Sequence, residues 1–165
     1  MTLDDSQTAA AQEFILSAVR LIQTGAKEEV VRTHFASHLR SMFPDAPNWL
    51  EEHIQGGEAT VQIGQNGLTR TRFIDNLVGL TTIEYEPNLT TPSSFQGGLE
   101  QVQEHCAGLL RRGEDRELII GILSDTIRWY AYAIEEVDDV PLAGLEARHV
   151  HLRQIDDVDE APHSG

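Results

Sequence analysis

The spacing of apolar residues along the chain predicts alternating helices and strands. Three segments carry apolar residues at helical spacing: 9–23, about 26–43 and about 96–112. Six segments carry strand patterns, either alternating or continuously apolar: 58–64, 70–78, 81–86, 117–123, 127–135 and, in the tail, 147–155. The order of two helices, three strands, one helix and two strands predicts a mixed α/β fold with a central sheet flanked by helices.

Turn and capping residues predict where these elements end. Gly113 stops the third helix, and Ser93 or Ser94 is available to cap its start. The 165 residues are enough for one domain with a buried core, which we assign to residues 1–136. Residues 137–165 are then a C-terminal extension, and we expect its end, DDVDEAPHSG, to be frayed.

The charge balance is strongly acidic, with 27 Asp and Glu against 12 Lys and Arg and a formal net charge of −15. Such a chain should repel nucleic acid unless something weakens the repulsion. Molar salt would weaken it, because the Debye length falls to about 3 Å at 1 M. The single lysine, Lys27, suits a halophilic host of that kind. Alternatively, the chain belongs to a larger assembly whose other parts hold the polymer.

The sequence does not indicate a membrane or secreted protein. No apolar run approaches the roughly 18 residues that a spanning helix needs, and the polar, acidic start lacks the pattern of a signal peptide. The one cysteine, Cys106, excludes an internal disulfide and a multi-cysteine zinc site. We therefore expect a cytoplasmic protein without membrane contact.

Three carboxylates lie close together in the segment FIDNLVGLTTIEYEPNL, residues 73–89. A two-residue loop at Gly79–Leu80 has glycine first, as a type II′ hairpin turn requires. This loop predicts the pairs Val78 with Thr81, Leu77 with Thr82 and Asp75 with Glu84. Glu86 follows Glu84 by two residues and shares its face, so one register brings all three acids into one patch.

Opposed carboxylates destabilise a sheet, but a divalent cation reverses the sign of that interaction. Mg²⁺ prefers carboxylate and water oxygens, and a bound ion can activate water for attack on a phosphodiester. The sequence therefore predicts a metal site for Mg²⁺ (or Mn²⁺) at Asp75, Glu84 and Glu86. A solvated acidic face on an acidic protein is the alternative interpretation.

The order of these features resembles the PD-(D/E)xK nuclease superfamily. More closely, it resembles the N-terminal nuclease domain of type I restriction enzyme motor subunits and related restriction-modification proteins. The family pattern is a helix with a Glu, a strand with an Asp, a strand with (D/E)-x-K, a helix with Gln-x-x-x-Tyr and often a strand pair with T-(D/N)-G-x-x-W. The matching segments, which together span about 26–136, are KEEVVR, FIDNLVG, IEYE, LEQVQEHC and GILSDTIRWYAYAI.

The resemblance implies a restriction-endonuclease-like core and a role for each matched residue. Asp75 and Glu84 would bind the metal, and Glu86 would position water or share the metal. Glu28 would complete or support the ligand set, and Gln101 would orient the nucleophile or a ligand. The implied activity is Mg²⁺-dependent endonuclease cleavage of DNA in a restriction-modification or defence system. A translocase or methyltransferase component would be fused to the chain or associated with it.

The chain departs from the family at two matched positions. Glu86 stands where the family has lysine, and His105 stands where it has tyrosine. A glutamate cannot supply the positive charge of lysine, although some restriction endonucleases of this superfamily carry E-x-E. Glu86 would then act as a general base or a further ligand. The alternatives are a catalytically inactive nuclease-like module that assembles a restriction or defence complex, and an RNA or repair nuclease with the same site.

Other candidate groups have simpler interpretations. His34 and His38 have the spacing of a zinc pair on a predicted helix, but without supporting ligands we interpret them as polar surface residues. Cys106 lies in an apolar helical stripe and is interpreted as a small core residue. Arg70 and Arg72 are available for phosphate contacts.

The halophile hypothesis predicts that the free energy of unfolding rises steeply between low and molar KCl. Screening by the salt would relieve the self-repulsion of the −15 charge in the folded state. Urea unfolding at a series of KCl concentrations measures this dependence. A stability that does not change with KCl would contradict the hypothesis and leave the larger assembly as the explanation.

Overall fold

The computed structural model describes residues 5–27, 30, 33–34, 37–38, 59–65 and 68–159, and it has the mixed α/β architecture that the apolar pattern predicts. The helices and strands are α1 (Asp5–Gln23), β1 (Ala59–Gln65), β2 (Leu68–Ile74), β3 (Asn76–Val78), β4 (Thr81–Tyr85), α2 (Pro92–Arg111), β5 (Ile120–Ser124), β6 (Arg128–Val137) and β7 (Val150–Asp159). Within these ranges, no helix is long and apolar enough to cross a membrane.

The central sheet has five strands in the order β3-β4-β5-β6-β7. β4 and β5 run parallel, and the other neighbouring pairs are antiparallel. The parallel pair requires a long crossover, which α2 provides. β1 and β2 form a separate antiparallel hairpin that leads directly into β3. β5 is therefore the middle strand, as the apolar run predicts, but it begins at Ile120, because the first residues of the predicted strand 117–123 belong to a 3-10 turn, Arg116–Leu118.

The two helices cover opposite faces of the sheet. Val102 and Leu109 of α2 belong to the larger core cluster with Leu123 of β5. Phe14 of α1 packs in a second cluster that contains Tyr85 of β4. Since successive strand residues point to opposite faces, even-numbered residues of β4 face α2 and odd-numbered residues face α1.

Helix α2 lies very close to the strands beneath it. A Cβ atom at Gly108 would come within 2.4 Å of the Cβ of Val61, and one at Gly121 within 2.3 Å of Cγ1 of Val102. Both distances are shorter than van der Waals contact, so these positions require glycine for the observed helix–sheet spacing. This spacing brings polar side chains of α2 close to the strands.

Helix α2 starts earlier than predicted. Thr91 is the N-cap, and its Oγ1 accepts a hydrogen bond of 3.3 Å from the N–H of Ser94, while Pro92 occupies the first turn. The expected cap at Ser93 or Ser94 and the start at 96 are therefore wrong. The fixed φ of proline suits the first helical position, and the threonine before it supplies the cap oxygen.

The C-terminal extension contributes the edge strand of the sheet. β7 continues through Asp159, so the expectation that residues 156–159 are frayed is wrong. The pairing with β6 is interrupted by two irregularities, between Ala131 and Tyr132 and between Ile134 and Glu136. Bulges and charged residues are common on exposed edge strands because they discourage pairing with other chains. The acidic sequence DDVD is compatible with such an edge.

We predict opposite effects for alanine at two glycines of α2. Gly108→Ala should lower the free energy of unfolding by about 1–2 kcal/mol, because overpacking against Val61 outweighs the helix propensity gained. Gly97→Ala is the matched control, since a Cβ there meets nothing within 4 Å, and it should stabilise by up to about 1 kcal/mol. Urea unfolding of both variants provides the comparison. Equal effects would contradict the close helix–sheet contact.

Candidate functional site

A tight turn at Gly79–Leu80 sets the register of the β3–β4 hairpin. Gly79 has a φ of +62°, a conformation that residues with a Cβ rarely adopt. The observed pairs Val78 with Thr81 and Leu77 with Thr82 confirm the predicted register. Glu84 of β4 consequently faces α2, as the alternation of side chains requires.

Asp75 lies at a bend between β2 and β3, where the predicted strand 70–78 is interrupted. The prediction of one continuous strand is wrong there, and Asp75 is outside the observed ladder in which it was expected to pair with Glu84. Instead, Oδ2 of Asp75 accepts a hydrogen bond of 3.1 Å from the backbone N–H of Tyr85. The carboxylate thus replaces a backbone carbonyl and holds Asp75 beside β4.

Glu86 directly follows β4, and its N–H donates to the carbonyl of Ser124 over 2.9 Å. Its Oε1 accepts a bond of 3.0 Å from Nε2 of Gln101 on α2. The pKa of Glu86 is raised, first by burial and then by the charge of Asp75, while the Gln101 bond acts in the opposite direction. The structure therefore brings Asp75 and Glu86 within electrostatic range of each other.

The contact between Gln101 and Glu86 depends on a glycine of α2. A Cβ at Gly98 would lie 2.8 Å from Cγ of Glu86 and 2.5 Å from Cδ1 of Leu123. No larger residue fits without displacing one of these side chains. Gly98 therefore allows α2 to lie directly over the end of β4.

Glu84 is buried beneath α2, with 7% of its surface exposed. Its Oε2 lies 3.6 Å from Nδ1 of His105, which is 2% exposed. Burial lowers the pKa of His105 to about 4, so the imidazole is neutral near pH 7. The contact is thus between a carboxyl group and a neutral ring, and it is not an ion pair at that pH.

The predicted site residues form two adjacent pairs, because Gln101 and His105 lie one turn apart on α2. One pair is Glu86 with Gln101, close to Asp75, and the other is Glu84 with His105. In the part of the chain that the structure describes, no three His, Cys, Asp or Glu side chains are grouped as ligands of one ion. Glu28 lies outside the described residues.

Asp125 is a buried acid whose importance the sequence interpretation missed. It follows β5 and is 2% exposed. Its Oδ1 accepts bonds from the N–H groups of Ile127 and Arg128 at 3.1 and 2.7 Å. Its Oδ2 accepts from the N–H of Leu89 at 3.2 Å and from Nη1 of Arg128 at 2.9 Å. Asp125 therefore fixes the loop after Glu86 to the β5–β6 turn.

The sequence contains one signal that could have identified Asp125. It is an Asp directly after an apolar strand and before a turn, a position where Asp side chains commonly accept bonds from backbone N–H groups.

The other candidates from the sequence have structural contacts. Cys106 is fully buried, and burial raises the pKa of its thiol to about 12, which confirms its assignment as a core residue. Arg72 pairs with Glu104 of α2 over 2.9 Å. His34 and His38 have ring centroids 4.2 Å apart beside α1, where Nε2 of His34 contacts the hydroxyl of Ser17 at 2.5 Å.

Comparisons with known proteins identify no relative of this chain. No family model, no curated protein and no solved structure matches it.

We predict that Glu86→Gln stabilises the protein at neutral pH. The raised pKa means that the folded state binds the proton of Glu86 more tightly than the unfolded state does. Ionised Glu86 therefore costs stability above its folded pKa, and the cost disappears as the pH falls to the ordinary value of 4.5 and below. In EDTA at pH 7.5 the melting temperature should rise by about 2 °C, and the gain should vanish near pH 4.

The matched control for this measurement is Glu100→Gln. Glu100 also accepts an amide hydrogen bond, 3.2 Å from Nε2 of Gln96, but it is exposed on α2. At pH 7.5 the Glu100→Gln substitution should shift the melting temperature by less than the Glu86→Gln substitution does. Equal shifts at pH 7.5 would show that general charge reduction causes the effect, and not the burial of Glu86 and its proximity to Asp75.

Proposed function

We propose that this chain is a nuclease-type domain that hydrolyses phosphodiester bonds of DNA with Mg²⁺ or Mn²⁺. The observation that carries the proposal is that Tyr85 N–H holds Asp75 beside the end of β4, within electrostatic range of Glu86, whose carboxylate accepts a bond from Gln101. Like charges in this position cost stability in the free protein, and a divalent cation would convert their repulsion into binding. The order of motifs along the chain supports the same function.

The donors in the candidate site suit a hard cation. Mg²⁺ keeps several waters and is commonly held by one or two carboxylates together with substrate phosphates. Asp75 and Glu86 provide two such carboxylates without requiring a third from Glu84. The bound ion would stabilise charge on the phosphate and make water more acidic.

The residues of the chain have separate roles in this proposal. Asp75 would hold the cation through its carboxylate, whose orientation the N–H of Tyr85 fixes. Glu86 would bind the cation or accept the proton of the attacking water, and its raised pKa brings it closer to the range suited to a general base. Gln101 orients Glu86 through the bond to Oε1. Asp125 holds the loop that follows.

The net charge of −15 supports dependence on a partner. An acidic domain gains little from non-specific attraction to the DNA backbone, which requires Lys and Arg. A translocase or methyltransferase component in a restriction-modification or defence system would deliver the DNA to this domain. Such a system would place the protein in the cytoplasm.

A second candidate function is a catalytically inactive module that assembles such a complex. The specific observation in its favour is Glu84, the expected metal ligand, which lies under α2 against the neutral ring of His105. Glu86 in place of the family's lysine points in the same direction. In this function the acids remain only as parts of the fold.

Metal titration distinguishes the two functions. Isothermal calorimetry with MgCl₂ and MnCl₂ should show saturable binding to the unmodified chain, and Asp75→Asn should weaken it roughly tenfold or more. Asparagine keeps an oxygen to accept from the N–H of Tyr85, so the fold should be retained. Glu100→Gln, on the exposed side of α2, should bind metal as the unmodified chain does.

Cleavage of duplex DNA, single-stranded DNA and RNA is then measured with and without the metal. Metal-dependent cleavage of DNA that is lost in Asp75→Asn is the expected result. Cleavage of RNA alone would favour the RNA nuclease alternative. The absence of any saturable binding that depends on Asp75 would contradict the nuclease and support the inactive module.

A further inference from the structure

His105 carries a buried nitrogen that lacks a hydrogen-bond partner. The residue is 2% exposed, and Nδ1 has no hydrogen-bond partner, whereas buried polar atoms are nearly always paired. The other nitrogen is engaged, since the ring bonds to the carbonyl of Phe73. An unpaired nitrogen at this depth calls for a physical explanation.

The position of Nδ1 beside Glu84 suggests a physical explanation for the missing partner. Nδ1 lies 3.6 Å from Oε2 of Glu84, which is beyond the 2.7–3.2 Å typical of an N–H···O hydrogen bond. Two ligands of one tetrahedral ion, each about 2.1 Å from the metal, are about 3.4 Å apart. The observed separation is thus close to that between two donors of a shared metal ion.

The protonation state of the ring also suits a ligand. Because Nδ1 has no hydrogen-bond partner, we assign the bond with the Phe73 backbone to the N–H of Nε2, which leaves the lone pair on Nδ1. Metal-binding histidines commonly donate their other N–H to a backbone carbonyl, which fixes the tautomer and the ring orientation.

We propose that Glu84 and His105 are two protein ligands of a first-row transition-metal ion of the Co²⁺ or Zn²⁺ class. Imidazole nitrogen favours such ions over Mg²⁺, which prefers oxygen donors. Water would occupy the remaining coordination positions. The inference deepens the proposed function, because it names the class of metal that the Glu84–His105 pair takes beside the Asp75–Glu86 pair, through a histidine that stands where the family motif has tyrosine.

The test titrates Co²⁺ and Mg²⁺ separately into metal-free protein. Co²⁺ binding is followed by its visible absorption and Mg²⁺ binding by calorimetry. The informative variant is His105→Gln, because the glutamine amide can still donate from the position of Nε2 but provides no Nδ1. His151→Gln is the matched control, since His151 is exposed on β7.

We expect one Co²⁺ to bind the unmodified chain and the His151→Gln variant equally. His105→Gln should bind Co²⁺ about 10- to 100-fold more weakly while its Mg²⁺ affinity is unchanged. Unchanged Co²⁺ affinity in His105→Gln would overturn this inference and leave the proposed function intact. Failure of the unmodified chain to bind either ion would overturn both.

Circular dichroism shows whether His105→Gln folds. If it does not fold, spectroscopy of a protein that retains His105 provides the test. X-ray absorption spectroscopy of the Co²⁺-loaded His151→Gln protein reports whether imidazole is bound to the metal. Imidazole coordination is the expected result. Bound Co²⁺ without imidazole coordination would exclude His105 as a ligand, whatever the outcome of the nuclease assays.

Discussion

The close contact between α2 and the β4–β5 surface is the constraint on which the candidate site depends. Glycine is present on both sides of this contact, at Gly98 above Leu123 and at Gly121 beneath Val102. Neither position has room for a Cβ, so the helix lies near the sheet and its polar side chains reach strand carboxylates directly. The hydrogen bond from Gln101 to Glu86 and the contact of His105 with Glu84 are both consequences of this spacing.

Neutral groups contact each of the three acids of the site. Asp75 accepts from a backbone N–H, Glu86 accepts from an amide, and Glu84 faces a neutral ring. Hydrogen bonds orient these groups, but neutral donors do not cancel the repulsion between charges. Burial raises the pKa of Glu86, and the charge of Asp75 raises it further. Burial and Asp75 therefore both disfavour the ionised form of Glu86 in the metal-free chain.

The sequence predicted those parts of the structure that follow from local periodicity and turn chemistry. Glycine at the first position of a two-residue loop gave the correct hairpin register, and alternation placed Glu84 on one definite face. Prediction from the sequence failed where a side-chain carboxylate takes the place of a backbone carbonyl as hydrogen-bond acceptor. The bend at Asp75 and the tethers of Asp125 arise from carboxylates that accept backbone N–H groups distant in sequence, and such contacts leave no periodic signal. The strand predicted at 147–155 is present, but its extension over 156–159 was missed because Asp156 and Asp157 face solvent instead of a core.

The burial of Glu84 was also beyond sequence reasoning, since it depends on where α2 crosses β4. The contact between Glu84 and His105 separates the two proposed functions physically. In an inactive module, the unpaired Nδ1 of His105 remains a cost without compensation. In a metalloenzyme, an ion bound by Glu84 and His105 satisfies this nitrogen. The position of Nδ1 beside a carboxylate is therefore the observation that favours the metal.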